Sequence, residues 1–485
     1  MRARLDQRTE WTCVSKLTHV IFQFDALERD AFDILQLIRS WKNRLAPINR
    51  IPPEILALVP DFWGVRNRDE NIITVTHVCR AWREVFVSRP TLWTGLSCVD
   101  LDKTRVYLER SKSSPINLSL DGNYVTLSNA LFELISNATG RLKSVTIVLE
   151  PEDLQLISAC LSRPAPLLEV LSVDGYDDSV LSSALFGGDL SSLRELHLAC
   201  VRTELPWRNM VNLTSFTLNN ASPISVIRFL DFFENAPHLR EVDILSTPIS
   251  DAQDGRLVPL TCLQRMDAGH HPSSSLFDHL LIPVGACLAM SVDLPDPPIK
   301  DCPPRFIDNL KNLSNVTAII LDGGMSFIRF SGPSGKVRMD TQSHSTWVHL
   351  LLESLAHFDT SNTERLEITQ YHSPLTSDPV YRALLPMKAL HTLKLDRCGD
   401  PHIFIYALDP GMGSSGAVVC PNLEELVIVH GVVFDLKDVV ATAAARASRG
   451  AKLKSVKIDS CHKAVYSQSD VLELKKHVLH VECGP

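Results

Sequence analysis

Apolar positions along the chain follow three successive rhythms. From Phe24 to Leu45 they recur at spacings of three and four (Phe24, Leu27, Ala31, Ile34, Ile38, Trp41, Leu45), with Glu28, Arg29, Asp33 and Lys42 elsewhere on the turn. That spacing predicts an amphipathic helix, which Pro47 ends. It reads as a helix packed on the next domain rather than as a coiled-coil seam, because the run barely fills three heptads. From Pro47 to Leu96 the pattern predicts two short helices. The first starts at Pro52 or Pro53, with Glu54 in its first turn and Ile55, Leu56, Leu58 and Val59 on its apolar face. A charged loop over 60–71 follows, then a continuous amphipathic helix from Ile72 to Phe86 that Pro90 breaks, then Leu92 and Trp93 returning to the core.

Beyond about Lys103 a shorter template takes over: apolar, two residues, apolar, one residue, apolar. It occurs as Leu142/Val145/Ile147, Leu168/Leu171/Val173, Leu193/Leu196/Leu198, Leu213/Phe216/Leu218 and Leu239/Val242/Ile244, and in degraded form as Leu263/Met266/Ala268. Later copies are Val316/Ile319/Leu321, Leu390/Leu393/Leu395, Leu423/Leu426/Ile428 and Leu453/Val456/Ile458. This is a leucine-rich-repeat pattern, a short strand followed by a turn and usually a helix. Helical stretches are expected at 127–135, 154–161, 226–233, 347–358 and 436–447. Cys398 and Cys461 fall three residues after the last apolar position, where such repeats satisfy the turning backbone. The stretch 273–363 carries the pattern most weakly. Loops are expected at 294–298, 331–335 and 409–416.

The fold expected is therefore α/β, a short helical module followed by an irregular leucine-rich-repeat-like solenoid. Its divisions are a helix over 1–46, the module over 47–96 and the solenoid over 97–485. A chain of 485 residues, 45% hydrophobic and 21% charged, has the composition of a folded protein of more than one domain. A net charge of −8 leaves no basic footprint for nucleic acid. The charged N-terminus lacks a signal-peptide core, and no run reaches the roughly 20 apolar residues that span a bilayer. The expectation is a cytoplasmic or nuclear protein, not bound to membrane. Its twelve cysteines are scattered without a CxxC pair, so neither a zinc ribbon nor a disulfide framework is expected.

No catalytic constellation emerges. Gly335-Lys336 lacks the glycine and the Ser/Thr of a phosphate loop, and no G-x-S-x-G or H-E-x-x-H is present. His270-His271 reads as a loop pair. His477, His480 and Cys483 fall at helical spacing on what reads as a frayed terminal helix, without a fourth zinc ligand. The chain is expected to be no enzyme and to need no cofactor or metal.

The opening Ile51-Pro52-Pro53-Glu54-Ile55-Leu56, the middle Val78-Cys79-Arg80-Ala81-Trp82-Arg83 and the closing Leu92-Trp93 resemble the F-box, the adaptor-binding module of modular ubiquitin ligases. The continuation through Thr104–Ser111 and Pro115-Ile116 resembles the large F-box families of mushroom-forming fungi. Ile51 stands where the family often has Leu, and the loop over 60–71 is longer than in animal members. The resemblance implies docking on a Skp-type adaptor, and through it on a cullin–RING ligase, while the repeats capture a protein substrate whose identity the sequence does not give. It implies that Ile51, Pro52, Ile55 and Leu56 form the adaptor-facing start. Val78, Cys79, Trp82 and Trp93 would contribute to the module's core and adaptor contact. The alternative is a leucine-rich scaffold or sensor with no ubiquitin role, its helical start only a cap.

Overall fold

The N-terminal helix α1 runs Arg2–Leu45 and is twice as long as its apolar pattern suggested. The residue before Pro47, Ala46, is extended (φ −63°, ψ 131°), as its clash with the proline ring demands, and Pro47–Arg50 form a 3-10 turn. The computed structural model describes residues 2–62, 68–97, 100–122, 128–182, 184–203, 210–250, 255–272, 274–292, 310–341, 352, 355, 358–371, 377–411, 418–431, 434–461, 464–465 and 467–484. The chain is mixed α/β, with this long helix and a large, mostly parallel sheet. It divides into two compact units, Met1–Leu118 and Ser119–Pro485.

In the first unit α2 (Pro53–Leu56) begins on Pro53, with Glu54 in the first turn. The continuous helix expected over 72–86 is instead two, α3 (Arg68–Thr76) and α4 (Arg80–Val87). The break follows from Thr76. Its hydroxyl bonds back to the Ile73 carbonyl at 2.7 Å, and its own carbonyl accepts from Arg83 Nε at 2.8 Å. Side-chain partners thus take over carbonyls at the helix end. α3 starts at Arg68, four residues before the helix start expected at Ile72. Pro90–Trp93 form a 3-10 turn, and α5 (Leu101–Ser111) is capped by Asp100, whose carboxylate accepts from the Lys103 N–H at 2.8 Å.

In the second unit the recurring triplet becomes strand after strand. The strands are β1 (Leu142–Val148), β2 (Val170–Leu181), β3 (Glu195–Thr203), β4 (Ser215–Asn219), β5 (Glu241–Leu245), β6 (Arg265–Pro272) and β7 (Cys287–Val292). After them come β8 (Ala318–Asp322), β9 (Phe327–Gly332), β10 (Gly335–Thr341), β11 (Arg365–Thr369), β12 (Thr392–Asp396), β13 (Glu425–Val429), β14 (Ser455–Asp459) and β15 (His480–Cys483). β1 to β7 pair in parallel with their neighbours in chain order, and so do β11 to β15. All residues of the ten triplets are buried, the degraded Leu263/Met266/Ala268 included. The register aligns them: Leu171, Leu196, Phe216 and Val242 are successive partners, as are Leu366, Leu393, Leu426 and Val456. Alternate residues face opposite sides of a strand, so one row of apolar side chains becomes a continuous core.

The middle of the sheet departs from the expected all-parallel order. β7 pairs not with β8 but with β10; β9 lies between β10 and β8, antiparallel to both; and β8 pairs in parallel with β11. Two tight turns force this reversal. At the first, Asp322 Oδ1 accepts the N–H groups of Gly324 and Met325 at 3.0 and 2.8 Å, and Ser326 takes φ 53°. At the second, Pro333-Ser334 join β9 to Gly335, at φ 123°. The loop expected over 331–335 is thus the tip of a hairpin.

Several strands end on a residue in the left-handed region, two positions after the last apolar one: Asn220, Ser246, Gln370, Arg397, His430 and Ser460, at φ 48–54°. The N–H groups of Asn220, Gln370, Arg397 and His430 donate to the last carbonyl of the next strand at 2.9–3.0 Å. Each turn therefore extends the ladder by one bond. One position further on, Cys398 Sγ donates to the Ile368 and Asp396 carbonyls at 3.6 and 3.7 Å. Cys461 does the same to Ile428 and Asp459 at 3.9 and 3.5 Å. The thiols satisfy the turning backbone as their position suggested.

Helices follow the strands at Asn129–Ala138, Pro151–Cys160, Val226–Glu234 and Leu436–Ser448, where expected. Others, at Ser377–Leu384 and His402–Ala407, were not, and the terminal helix, Gln468–His477, lies earlier than expected and ends before His480. The helix expected over 347–358 and the loops at 294–298 and 409–416 fall wholly or largely outside the described residues.

Candidate docking site

The first unit builds a small core around an aromatic pair. Trp93 is 1% exposed and its ring meets Tyr107 edge-on, centroids 5.0 Å apart at 82°. Its indole N–H donates to the buried Phe86 carbonyl at 3.0 Å, and the Arg110 guanidinium lies 4.3 Å from its ring centroid. Leu56, Ile72, Phe86, Leu92 and Leu96 are buried as well. Gly95 and Leu96 pair in parallel with Asn117 and Leu118, tying the end of the segment to the chain beyond α5.

Around this core, polar ties hold the opening turns. Trp82 is half-buried. Its Nε1 donates to Asn49 Oδ1 at 2.6 Å, and its ring stands 5.8 Å from that of Phe86. Arg89 donates to the Ala57 carbonyl at the end of α2. These ties hold the opening turn to α4 and the end of α2 to the segment after α4, and leave α2's outer edge exposed. Pro52, Pro53 and Ile55 are exposed and Ile51 is half-buried. Ile55 is 54% exposed while Leu56, the next residue, is 4% exposed.

The eight residues singled out from the sequence therefore separate. Pro52, Ile55 and Val78 are exposed, and Ile51, Cys79 and Trp82 are half-buried. Leu56 does not face outward as expected, and Trp93 lies entirely inside. Both serve the core: the one-turn α2 directs consecutive side chains to different sides and turns Leu56 inward, and Trp93 ends the 3-10 turn against Tyr107. Asn49, Arg89 and Arg110 were missed because each acts through a partner far along the chain, Trp82, Ala57 and Trp93 respectively.

No family model matches the chain, and no curated protein matches it.

The second unit offers a polar surface on the side of the sheet opposite the apolar row. Lys394 Nζ is 2.5 Å from Glu367 and 3.6 Å from Asp396. Glu367 also meets Arg365 at 3.3 Å, and Asp396 meets His430 at 3.2 Å. Arg265 bridges Asp243 and Asp267 at 3.3 and 3.6 Å. Burial pushes the Asp243 carboxyl up, against the pull of Arg265. At the carboxyl ends of β1–β3 a cleft of about 440 Å³ is lined by Glu150, Asp174, Tyr176 and Cys200 among others.

The histidine and cysteine candidates come apart. His477 ends a helix, whereas His480 and Cys483 lie on β15, three residues apart and so on opposite faces. His270 and His271 sit in β6 rather than in a loop. Among the described residues no group of three or more His, Cys, Asp or Glu is placed to hold a metal, and no helix is long and apolar enough to cross a membrane.

Proposed function

We propose that this chain is the substrate-recognition subunit of a Skp–cullin–F-box ubiquitin ligase. Residues 47–96 are its F-box and dock on the Skp-type adaptor. The second unit is an irregular leucine-rich-repeat array that holds a protein substrate. The chain does no bond chemistry, uses no cofactor and works in the cytoplasm or nucleus. Its contribution is proximity, raising the effective concentration of substrate lysines at the charged enzyme.

The observation that carries this reading is Ile55, an uncovered isoleucine on a proline-started turn whose neighbour Leu56 anchors the core. A hairpin serving only to cap the repeats has no use for an exposed apolar edge there. The recurring buried triplets and their shared turn geometry support the repeat assignment.

Calorimetric titration of the full chain with purified Skp-type adaptor tests the reading. Binding that Ile55→Asp abolishes, with an unchanged melting temperature, is the expected result. No binding by the folded wild-type chain leaves the scaffold with no ubiquitin role.

A further inference from the structure

α1 carries a long apolar stripe, and every one of its described side chains from Leu17 to Leu45 is exposed. The stripe is a strict heptad seam. Leu17, Val20 and Phe24 begin it, and Leu27, Ala31, Ile34, Ile38, Trp41 and Leu45 continue the alternation of three and four. With the helix formed over its whole length, the seam covers four heptads instead of three.

The residues flanking the seam say what covers it. On one side lie Glu28, Leu35 and Lys42, on the other Asp30, Leu37 and Arg44. Each trio is acidic, apolar, basic in chain order, so each is complementary to itself read backwards. A parallel pair in register would stack Trp41 on Trp41 and Ala31 on Ala31. It would also set Asp30 against Leu35 and Leu37 against Lys42. An antiparallel pair centred on residue 36 resolves all of these. It places Ala31 against Trp41, small against large, and Ile34 against Ile38 and Leu27 against Leu45 in the neighbouring layers. Glu28 then meets Lys42, Asp30 meets Arg44, and Leu35 and Leu37 each meet their own copy at the two-fold axis.

We propose that the segment Leu27–Leu45 of α1 pairs antiparallel with the same segment of a second copy of this chain. Eight apolar side chains per copy, at about 100 Å² each, bury about 800 Å² per copy, the size of a standard specific interface. The proposal does not depend on the ligase reading.

Sedimentation velocity of the full chain at micromolar concentration tests it. The wild type is expected at twice the 54.0 kDa chain mass. The double variant Glu28→Lys/Asp30→Lys is expected as a monomer, since four like-charge pairs replace four ion pairs. Adding Lys42→Glu and Arg44→Glu to it restores the dimer. Phe24→Asp, outside the overlap, leaves the dimer intact. All five substitutions fall at exposed positions, and unchanged circular dichroism verifies folding. A monomeric wild type, a dimer indifferent to the double variant, a folded quadruple variant that stays monomeric, or loss of the dimer in Phe24→Asp overturns the proposal.

Discussion

Trp82 donates its indole N–H to Asn49 Oδ1 at 2.6 Å, across 33 residues of sequence. The bond closes the opening turn onto α4 and is the longest-range side-chain tie described within the first unit. Trp82→Phe and Asn49→Ala are each expected to cost about 1 kcal/mol, the net value of such a bond. Their double variant should cost little more than either alone. Urea denaturation followed in the first unit measures the cycle, and full additivity would show that the bond contributes nothing.

Neighbouring residues should differ sharply in what they do. Trp93→Ala is expected to destabilise the first unit by about 3–5 kcal/mol and Leu56→Ala by about 2–5 kcal/mol, because both are buried. Ile55→Ala, half exposed, should change stability by no more than about 0.5 kcal/mol. Thermal melts of the three variants check this, and a large loss for Ile55→Ala would place that side chain inside the fold.

Burial pushes the Cys398 and Cys420 thiols up to about 12. In the unfolded chain a thiol ionises near about 8.5. The native state therefore keeps two protons that the unfolded state releases. The stability involved is complete below about pH 8.5 and falls as pH rises toward the native value, by about 1.4 kcal/mol per pH unit for each thiol. Denaturation free energies measured from about pH 8 to pH 11 should decline less steeply in Cys420→Ala than in the wild type, by about that amount per unit. Equal slopes would mean that Cys420 ionises alike in both states.

Two glycines in the left-handed half of backbone space separate conformation from crowding. A Cβ on Gly335 would lie 2.7 Å from the Ala286 carbonyl oxygen, whereas one on Gly450 meets nothing within 4 Å. Gly450→Ala is expected to cost about 1 kcal/mol for its φ alone. Gly335→Ala should cost at least about 2 kcal/mol, the excess coming from the hairpin's approach to β7. Equal losses in melts of the two variants would remove the crowding argument.

Much of the sheet was legible because its core depends on a local pattern. A strand with one buried face needs apolar residues at every second position, and this holds even at the degraded Leu263/Met266/Ala268. β11 escaped notice because Thr363 fills its first position; the residue is buried, with its hydroxyl 3.5 Å from the Val316 carbonyl. The hairpin order of β8–β10 was hidden because turns and pairing partners are set by tertiary approach, not by periodicity. In the docking site, helix starts could be read from Pro53. The break at His77–Cys79 could not, since it depends on Arg83 reaching back to Thr76. Which apolar residues stay outside was equally unreadable: Ile55 and Leu56 look alike in sequence and differ only in direction.

The hairpin at the centre of the sheet also governs the order in which the chain acquires its structure during synthesis. Each of β2 to β7 pairs with the strand made just before it, so these strands are able to dock one after another as they emerge. After Val292 that zippering halts, because β7's neighbour does not begin until Gly335, 43 residues later (335−292). At a synthesis rate of about 5–20 residues per second the nascent chain waits several seconds with the growing edge of its sheet uncovered.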